Sequence, residues 1–189
     1  MHKFNPANKH LLDDQRRGEL LPAYQILEKA LIKEGETIAD VGCGTGYFSF
    51  PAADLVGPKG KVYALDISYE ILETLEKKME VRDEKNVIPL VSGENDFKLP
   101  EESVDLVFLS LIFHEAENKD DFLAEIRRVL KPEGRVFILE WSESAEIGPD
   151  SEEKLTSEEA KKFLLKAGFK LHSEPEVNEN FYALLAYQA

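Results

Sequence analysis

The sequence predicts an α/β fold: a doubly wound, seven-stranded, mostly parallel sheet that closes with a C-terminal antiparallel hairpin. Three observations predict it. Apolar runs alternate with helical patterns along most of the chain, the rhythm of parallel strands joined by helices. The run Ile38-Ala39-Asp40-Val41-Gly42-Cys43-Gly44-Thr45-Gly46 reads as a buried strand, an acid within it and a glycine-rich turn. Near the C-terminus, strands at 169–173 and 181–187 are joined by a short polar link. Parallel neighbours need a longer crossover, so these two strands form an antiparallel pair.

The elements follow in order. Residues 1–21 form an arm or lid, and residues 22–189 a single domain. A helix over 22–33 has proline in its first turn, where the missing N–H costs nothing, and Gly35 stops it. The first strand covers 37–41, and a helix follows over 47–56. A Gly-Pro-Lys-Gly turn leads into the second strand, 61–65, which Asp66 terminates. Ser68 caps a helix over 69–81. Strands follow at 87–91 and 104–110, the latter almost continuously apolar, as a strand covered on both faces requires. A helix over 120–130 closes on Lys131-Pro132-Glu133-Gly134 and precedes a strand over 135–141. Residues 142–156 read as an acidic loop, and Ser157 opens the last helix, which ends at Gly168.

Composition bounds the function. A chain of 189 residues that is 43% hydrophobic suits one domain with one core. No apolar run reaches membrane-spanning length, and the N-terminus lacks the apolar core of a secretory signal. The single cysteine, Cys43, leaves no internal disulfide and no Cys-rich metal cluster. A soluble cytoplasmic protein is expected, without membrane insertion. A net charge of −14 repels nucleic acid at long range. Only Lys9, Arg16–Arg17 and Arg127–Arg128 suggest local basic clusters, so no nucleic-acid partner is expected. His2, His10, His114 and His172 lack metal-ligand spacing, and no metal is expected.

The glycine turn carries the chemistry. Gly42, Gly44 and Gly46 let a ligand approach the backbone closely and permit positive φ. A dinucleotide site wants G-x-G-x-x-G, but here the third glycine comes one residue early and Tyr47 stands in its place. Asp40 precedes the turn, which suits a ligand bearing an ammonium or sulfonium and disfavours a pyrophosphate. Asp66 lies about twenty residues beyond the turn, where a carboxylate accepts hydrogen bonds from ribose hydroxyls. Ile67 beside it can cover a face of an adenine. Taken alone, a GxGxG run reads equally as an ordinary tight turn; the two acids at strand ends tip the balance to a ligand site.

These residues resemble the class I S-adenosylmethionine-dependent methyltransferases, in particular the small branch similar to ubiquinone/menaquinone-biosynthesis methyltransferases. The first motif is Asp40 to Gly46 and the second is Asp66. The third is the stretch Gly93-Glu94-Asn95-Asp96-Phe97-Lys98-Leu99-Pro100, and the fourth runs from Arg127 to Trp141. The resemblance implies the Rossmann-like methyltransferase fold, S-adenosylmethionine as cofactor and a small-molecule methyl acceptor. It also implies roles. Gly42, Gly44 and Gly46 flank the amino-acid end of the cofactor, Asp40 faces its ammonium, and Asp66 takes the ribose hydroxyls with Ile67 against the adenine. The family's third motif usually offers an acid to the adenine amino group. Gly93 holds that place here, so Glu94 or Asn95 substitutes. Ser110 and Leu111 sit near the transferred methyl.

Methyl transfer is an in-line displacement for which the cofactor brings the reactivity. A base is needed only where the acceptor is protonated. His114, just past the fourth strand, is the base candidate, with Glu115 to orient it; the other reading is a histidine that packs the loop. Cys43 reads as a small packing residue rather than a nucleophile. Arg17, in the arm, either pairs with the cofactor carboxylate or is an ordinary surface charge. Trp141, Tyr47 and Phe113 line an acceptor pocket or belong to the core. The alternative function is a non-catalytic S-adenosylmethionine-binding module that regulates a partner protein. A nicotinamide-dependent oxidoreductase is disfavoured by the early third glycine and the terminal hairpin.

Overall fold

The computed structural model describes residues 15–188. The chain divides into two compact units, one ending at Lys98 and one beginning at Leu99.

The N-terminal unit opens with two short helices, α1 (Gln15–Leu20) and α2 (Ala23–Lys29). Strand β1 (Thr37–Val41), helix α3 (Ser49–Val56), strand β2 (Lys61–Asp66), helix α4 (Tyr69–Arg82) and strand β3 (Val87–Val91) follow. The strands are parallel in the order β3-β2-β1. Ile38, Ala39, Val62, Ala64 and Leu65 are all fully buried, which is why β1 and β2 read as unbroken apolar runs. Pro89 sits within β3, an edge strand, where the missing N–H breaks no inner ladder. Ser68 caps α4 as expected, its hydroxyl accepting the Ile71 N–H at 3.4 Å.

Helix α3 starts two residues later than the sequence suggests. Tyr47 and Phe48 form a turn instead, and the Tyr47 hydroxyl donates to the Leu21 carbonyl at 2.7 Å. Helix α2 likewise stops at Lys29, short of the predicted 33, and Leu31 takes a left-handed conformation with φ of 56°.

The C-terminal unit holds β4 (Val104–Ser110), a 3-10 turn (Phe113–Glu115), α5 (Lys119–Val129), β5 (Leu130–Trp141), α6 (Ser157–Lys166), β6 (Phe169–Ser173) and β7 (Phe181–Gln188). The strand order is β4-β5-β7-β6, with β4 and β5 parallel and the β5–β7 and β6–β7 pairs antiparallel. The predicted hairpin is therefore present, and the seven-stranded α/β class is as expected. The predicted turn at 131–134 is instead absorbed into β5. Leu130 pairs with Val104 and Arg135 with Leu106, so the residues between them bulge out. The last helix is capped by Thr156 rather than Ser157, in a reciprocal pair with Glu159. Among the described residues, no helix is long and apolar enough to cross a membrane.

Candidate functional site

In the N-terminal unit the glycine turn leaves the end of β1. Gly42, Gly44 and Gly46 all have positive φ, at 69°, 58° and 88°. Gly46 is also constrained by space, because a Cβ there would lie 2.8 Å from the Phe50 ring and 3.2 Å from Leu75. The turn is fastened across to β2. The Asp66 carboxylate accepts the Gly44 N–H at 3.1 Å and the Ser68 N–H at 2.9 Å, and the Ile67 N–H as well. The Cys43 N–H also reaches the Leu65 carbonyl at 2.9 Å. One side chain thus ties the glycine turn to the β2–α4 junction. Burial raises the Asp66 carboxyl above its ordinary value, and the backbone donors pull it back. Ile67, beside it, is 55% exposed, an apolar surface next to a carboxylate.

Asp40 lies within β1, 3% exposed. The Ser49 hydroxyl, at the start of α3, donates to it at 2.5 Å. Burial pushes the Asp40 carboxyl up to about 6. The Ser49 hydrogen bond and the charge of Arg17 oppose that rise, while Asp66 adds to it. A buried acid poised this way gains when a cation arrives beside it.

Arg17, on α1, lies with its guanidinium 4.4 Å from the centre of the Tyr47 ring, a cation–π contact. Its reach to Asp40 brings a positive charge to the same unit's acid cluster. Phe4 and His10 of the predicted arm lie outside the described residues. Glu94 and Asn95 form the tip of a tight turn closed by the Gly93–Asp96 bridge. The Ser92 N–H at its base reaches the Asp66 carbonyl at 3.1 Å, so the turn sits beside the end of β2.

In the C-terminal unit, Ser110 ends β4. Its hydroxyl is buried without a hydrogen-bond partner among the described residues, which is costly unless something else meets it. Leu111 follows with φ of 60°, strained for a branched residue. Its N–H is held by the Leu139 carbonyl at 2.8 Å. His114 comes next in the 3-10 turn, and β5 holds it. Its Nδ1 lies 2.9 and 3.1 Å from the two carboxylate oxygens of Glu140, and its backbone N–H donates to the same side chain at 3.1 Å. The Trp141 N–H donates to Glu140 at 3.2 Å. Glu140 is 1% exposed.

Glu115, the orienting partner the sequence suggests, is 4.0 Å from Nε2, too far for a hydrogen bond. The hydrogen-bond partner is supplied instead by β5. Burial alone would push the His114 imidazole down; the hydrogen bond and charge of Glu140 outweigh it and raise it. Glu115 adds to the rise and Lys119 opposes it.

Other candidates resolve on packing. Phe113 is fully buried against Phe122 and Phe163, so it is core. Trp141 lies 4.8 Å from Phe181 and against Gly148, where a Cβ would come within 2.6 Å of the indole; it anchors the loop after β5. Cys43 is buried, and burial pushes its thiol far up, which keeps it protonated. Arg127 and Arg128 form no basic patch. Arg127 donates to the Ala167 carbonyl at 2.6 Å, and Arg128 grips Glu125 with two bonds of 2.7 Å.

Comparison with known proteins places the chain in a family. The methyltransferase domain family model matches residues 32–185. The demethylmenaquinone methyltransferase of Lactobacillus johnsonii is 35% identical over 121 residues, covering 63% of this chain and 49% of that protein. The chain spans about half the length of the curated relatives it matches. The crystal structure of a SAM dependent methyltransferase from Aquifex aeolicus superposes with a TM-score of 0.95 at 34% identity, covering 99% of this chain and 100% of that one. The cyclase SpnF superposes with a TM-score of 0.77 at 17% identity, covering 88% of this chain and 79% of that one, a likeness of fold alone.

Proposed function

This chain belongs to the methyltransferase domain family, and from that premise we propose that it is an enzyme moving a methyl group from S-adenosylmethionine to a small-molecule acceptor. The observation that carries the proposal is the fastening of the glycine turn to Asp66, with the buried Asp40 in the same unit. The residues present suit the cofactor's chemistry. Asp40 offers a buried carboxylate to a cationic group, and Asp66 keeps acceptor capacity for ribose hydroxyls after three backbone donors.

In this reading Gly42, Gly44 and Gly46 border the amino-acid end of the cofactor. Asp40 takes the ammonium and Arg17 the carboxylate. Ile67 covers the adenine, Glu94 or Asn95 receives its amino group, and Ser110 lies near the methyl. When bound, S-adenosylmethionine would supply an electrophilic methyl carbon with a neutral thioether as its leaving group. The protein orients the acceptor and keeps water away. His114 would take the proton of an acceptor at Nε2.

Relatives carry the name demethylmenaquinone methyltransferase, so reduced demethylmenaquinone is the first acceptor to assay. The reaction is assigned to the cytoplasm, and the net charge of −14 supports an acceptor that is not a nucleic acid.

Thermal stabilisation tests the donor: S-adenosylhomocysteine should raise the melting temperature and NAD should not. The reverse ranking overturns the cofactor assignment. Transfer of labelled methyl to a panel of small hydroxylated aromatics, thiols and amines tests the enzyme. Tight cofactor binding with no transfer to any acceptor would favour a module that regulates a partner protein.

A further inference from the structure

We propose that Glu140 is a positioning residue that fixes the His114 imidazole with its proton on Nδ1, leaving the Nε2 lone pair as the proton acceptor. The inference rests on the reading of His114 as the base.

The geometry carries it. Glu140 is 1% exposed, and a buried carboxylate requires donors. It meets three N–H groups: the His114 backbone at 3.1 Å, His114 Nδ1 at 2.9 Å and the Trp141 backbone at 3.2 Å. A carboxylate accepts and cannot donate, so Nδ1 must carry the hydrogen. The neutral imidazole then has its lone pair on Nε2. The carboxylate grips both the ring and the backbone of the same residue, which sets the ring's plane as well as its tautomer. Because Glu140 belongs to β5, the orientation is imposed by the sheet rather than by the turn.

Other charges face the pair. Glu115 is 4.0 Å from Nε2, beyond hydrogen-bond reach, so it leaves the lone pair available. Lys119 donates to the His114 carbonyl at 3.3 Å and the Ala116 carbonyl at 3.1 Å, which directs its ammonium to the backbone. Tyr182 feels the charge of Glu140, but its hydroxyl donates to the Leu155 carbonyl at 2.8 Å. Glu140 remains the ring's hydrogen-bond partner among the described residues.

Nitrogen-15 long-range NMR of the wild-type protein tests this without any acceptor, with the His114 signals assigned by their loss in His114→Ala. The neutral ring should show its hydrogen on Nδ1; a hydrogen on Nε2 overturns the proposal, whether or not Glu140→Gln folds. In Glu140→Gln the proton affinity of His114 should fall about tenfold, since the carboxylate charge is gone. The acid limb of the pH–rate profile with reduced demethylmenaquinone should move down with it, while S-adenosylhomocysteine affinity holds. An unmoved midpoint and an unmoved limb overturn the positioning role. If the wild type shows the stated tautomer yet methylates neither that quinol nor any hydroxylated aromatic, the base role of His114 falls, and the purpose given to Glu140 falls with it. The wrong tautomer in an enzyme that does transfer methyl groups removes Glu140 alone.

Discussion

Asp40 and Glu140 are both buried acids in β-strands, one in each unit, and their surroundings differ in kind. Asp40 is met by the Ser49 hydroxyl at 2.5 Å, with Arg17 acting through its charge, and its carboxyl is pushed up to about 6. Glu140 is met by three N–H groups from His114 and Trp141. Donors decide what a buried carboxylate can do. One with few donors keeps its proton to a higher pH and gains most when a cation compensates its charge, which makes it responsive to a ligand. One gripped by several N–H groups is a fixture that holds something else in place. On the proposed roles, the N-terminal unit carries the acid that answers a ligand, and the C-terminal unit the acid that sets a base.

The sharpest break between the two units should come from kinetics. His114→Ala should lower turnover by about 10²- to 10⁴-fold, the usual worth of a positioned base. S-adenosylhomocysteine affinity, read by calorimetry, should barely change. Turnover that survived the substitution would return His114 to packing and leave the C-terminal unit without a chemical role.

Asp66→Ala should show the opposite pattern. Cofactor affinity should weaken by roughly 10- to 100-fold, from lost charge-assisted bonds and a loosened turn. An unchanged Kd would detach the acid from the ligand. Gly46→Ala is a steric counterpart. The new Cβ meets the Phe50 ring in a backbone at φ of 88°, so stability should fall by roughly 1–3 kcal/mol. At about 2–4 °C per kcal/mol for a chain of this size, thermal unfolding resolves it.

The acid of the N-terminal unit should also be visible in pH dependence. Its folded carboxyl holds a proton that the unfolded chain would release near 3.8. Asp40 therefore lowers stability as pH rises between that value and about 6, and adds no further change above it. Cofactor binding runs the other way, because a cation favours the charged form. Affinity should rise with pH, by up to about tenfold per unit, and level off above the Asp40 midpoint. Asp40→Asn should flatten the curve; a slope that persists in this variant points to another group. The smallest effect belongs to Cys43, whose buried thiol should not react with a disulfide reagent until the protein unfolds.

The fold was legible because its strands are buried on both faces, as in Val104–Ser110, and because Ser68 marks a helix start with its own hydrogen bond. The glycine turn was legible because its conformation demands particular residues at particular spacings. Three features were hidden for physical reasons. Tyr47 has helix-compatible neighbours, but its hydroxyl is committed to Leu21, so α3 begins later. Lys131-Pro132-Glu133-Gly134 has the composition of a turn, yet strand pairing on either side makes it a bulge. Glu140 looks like any polar residue at a strand end. Its pairing with His114, 26 residues away, depends on strand adjacency, whereas the sequence offers only the neighbour Glu115.

The Asp66 carboxylate has a consequence for how relatives are read. It fastens Gly44, Ile67 and Ser68, and so staples two loops together. A longer Glu would push both loops apart, and an uncharged Ala would release them. A descendant that abandoned methyl transfer would still be held to an acid at this position by the demands of its own architecture. Retention of that acid in a distant relative is therefore evidence of a preserved scaffold, and its enzymology has to be sought elsewhere in the chain.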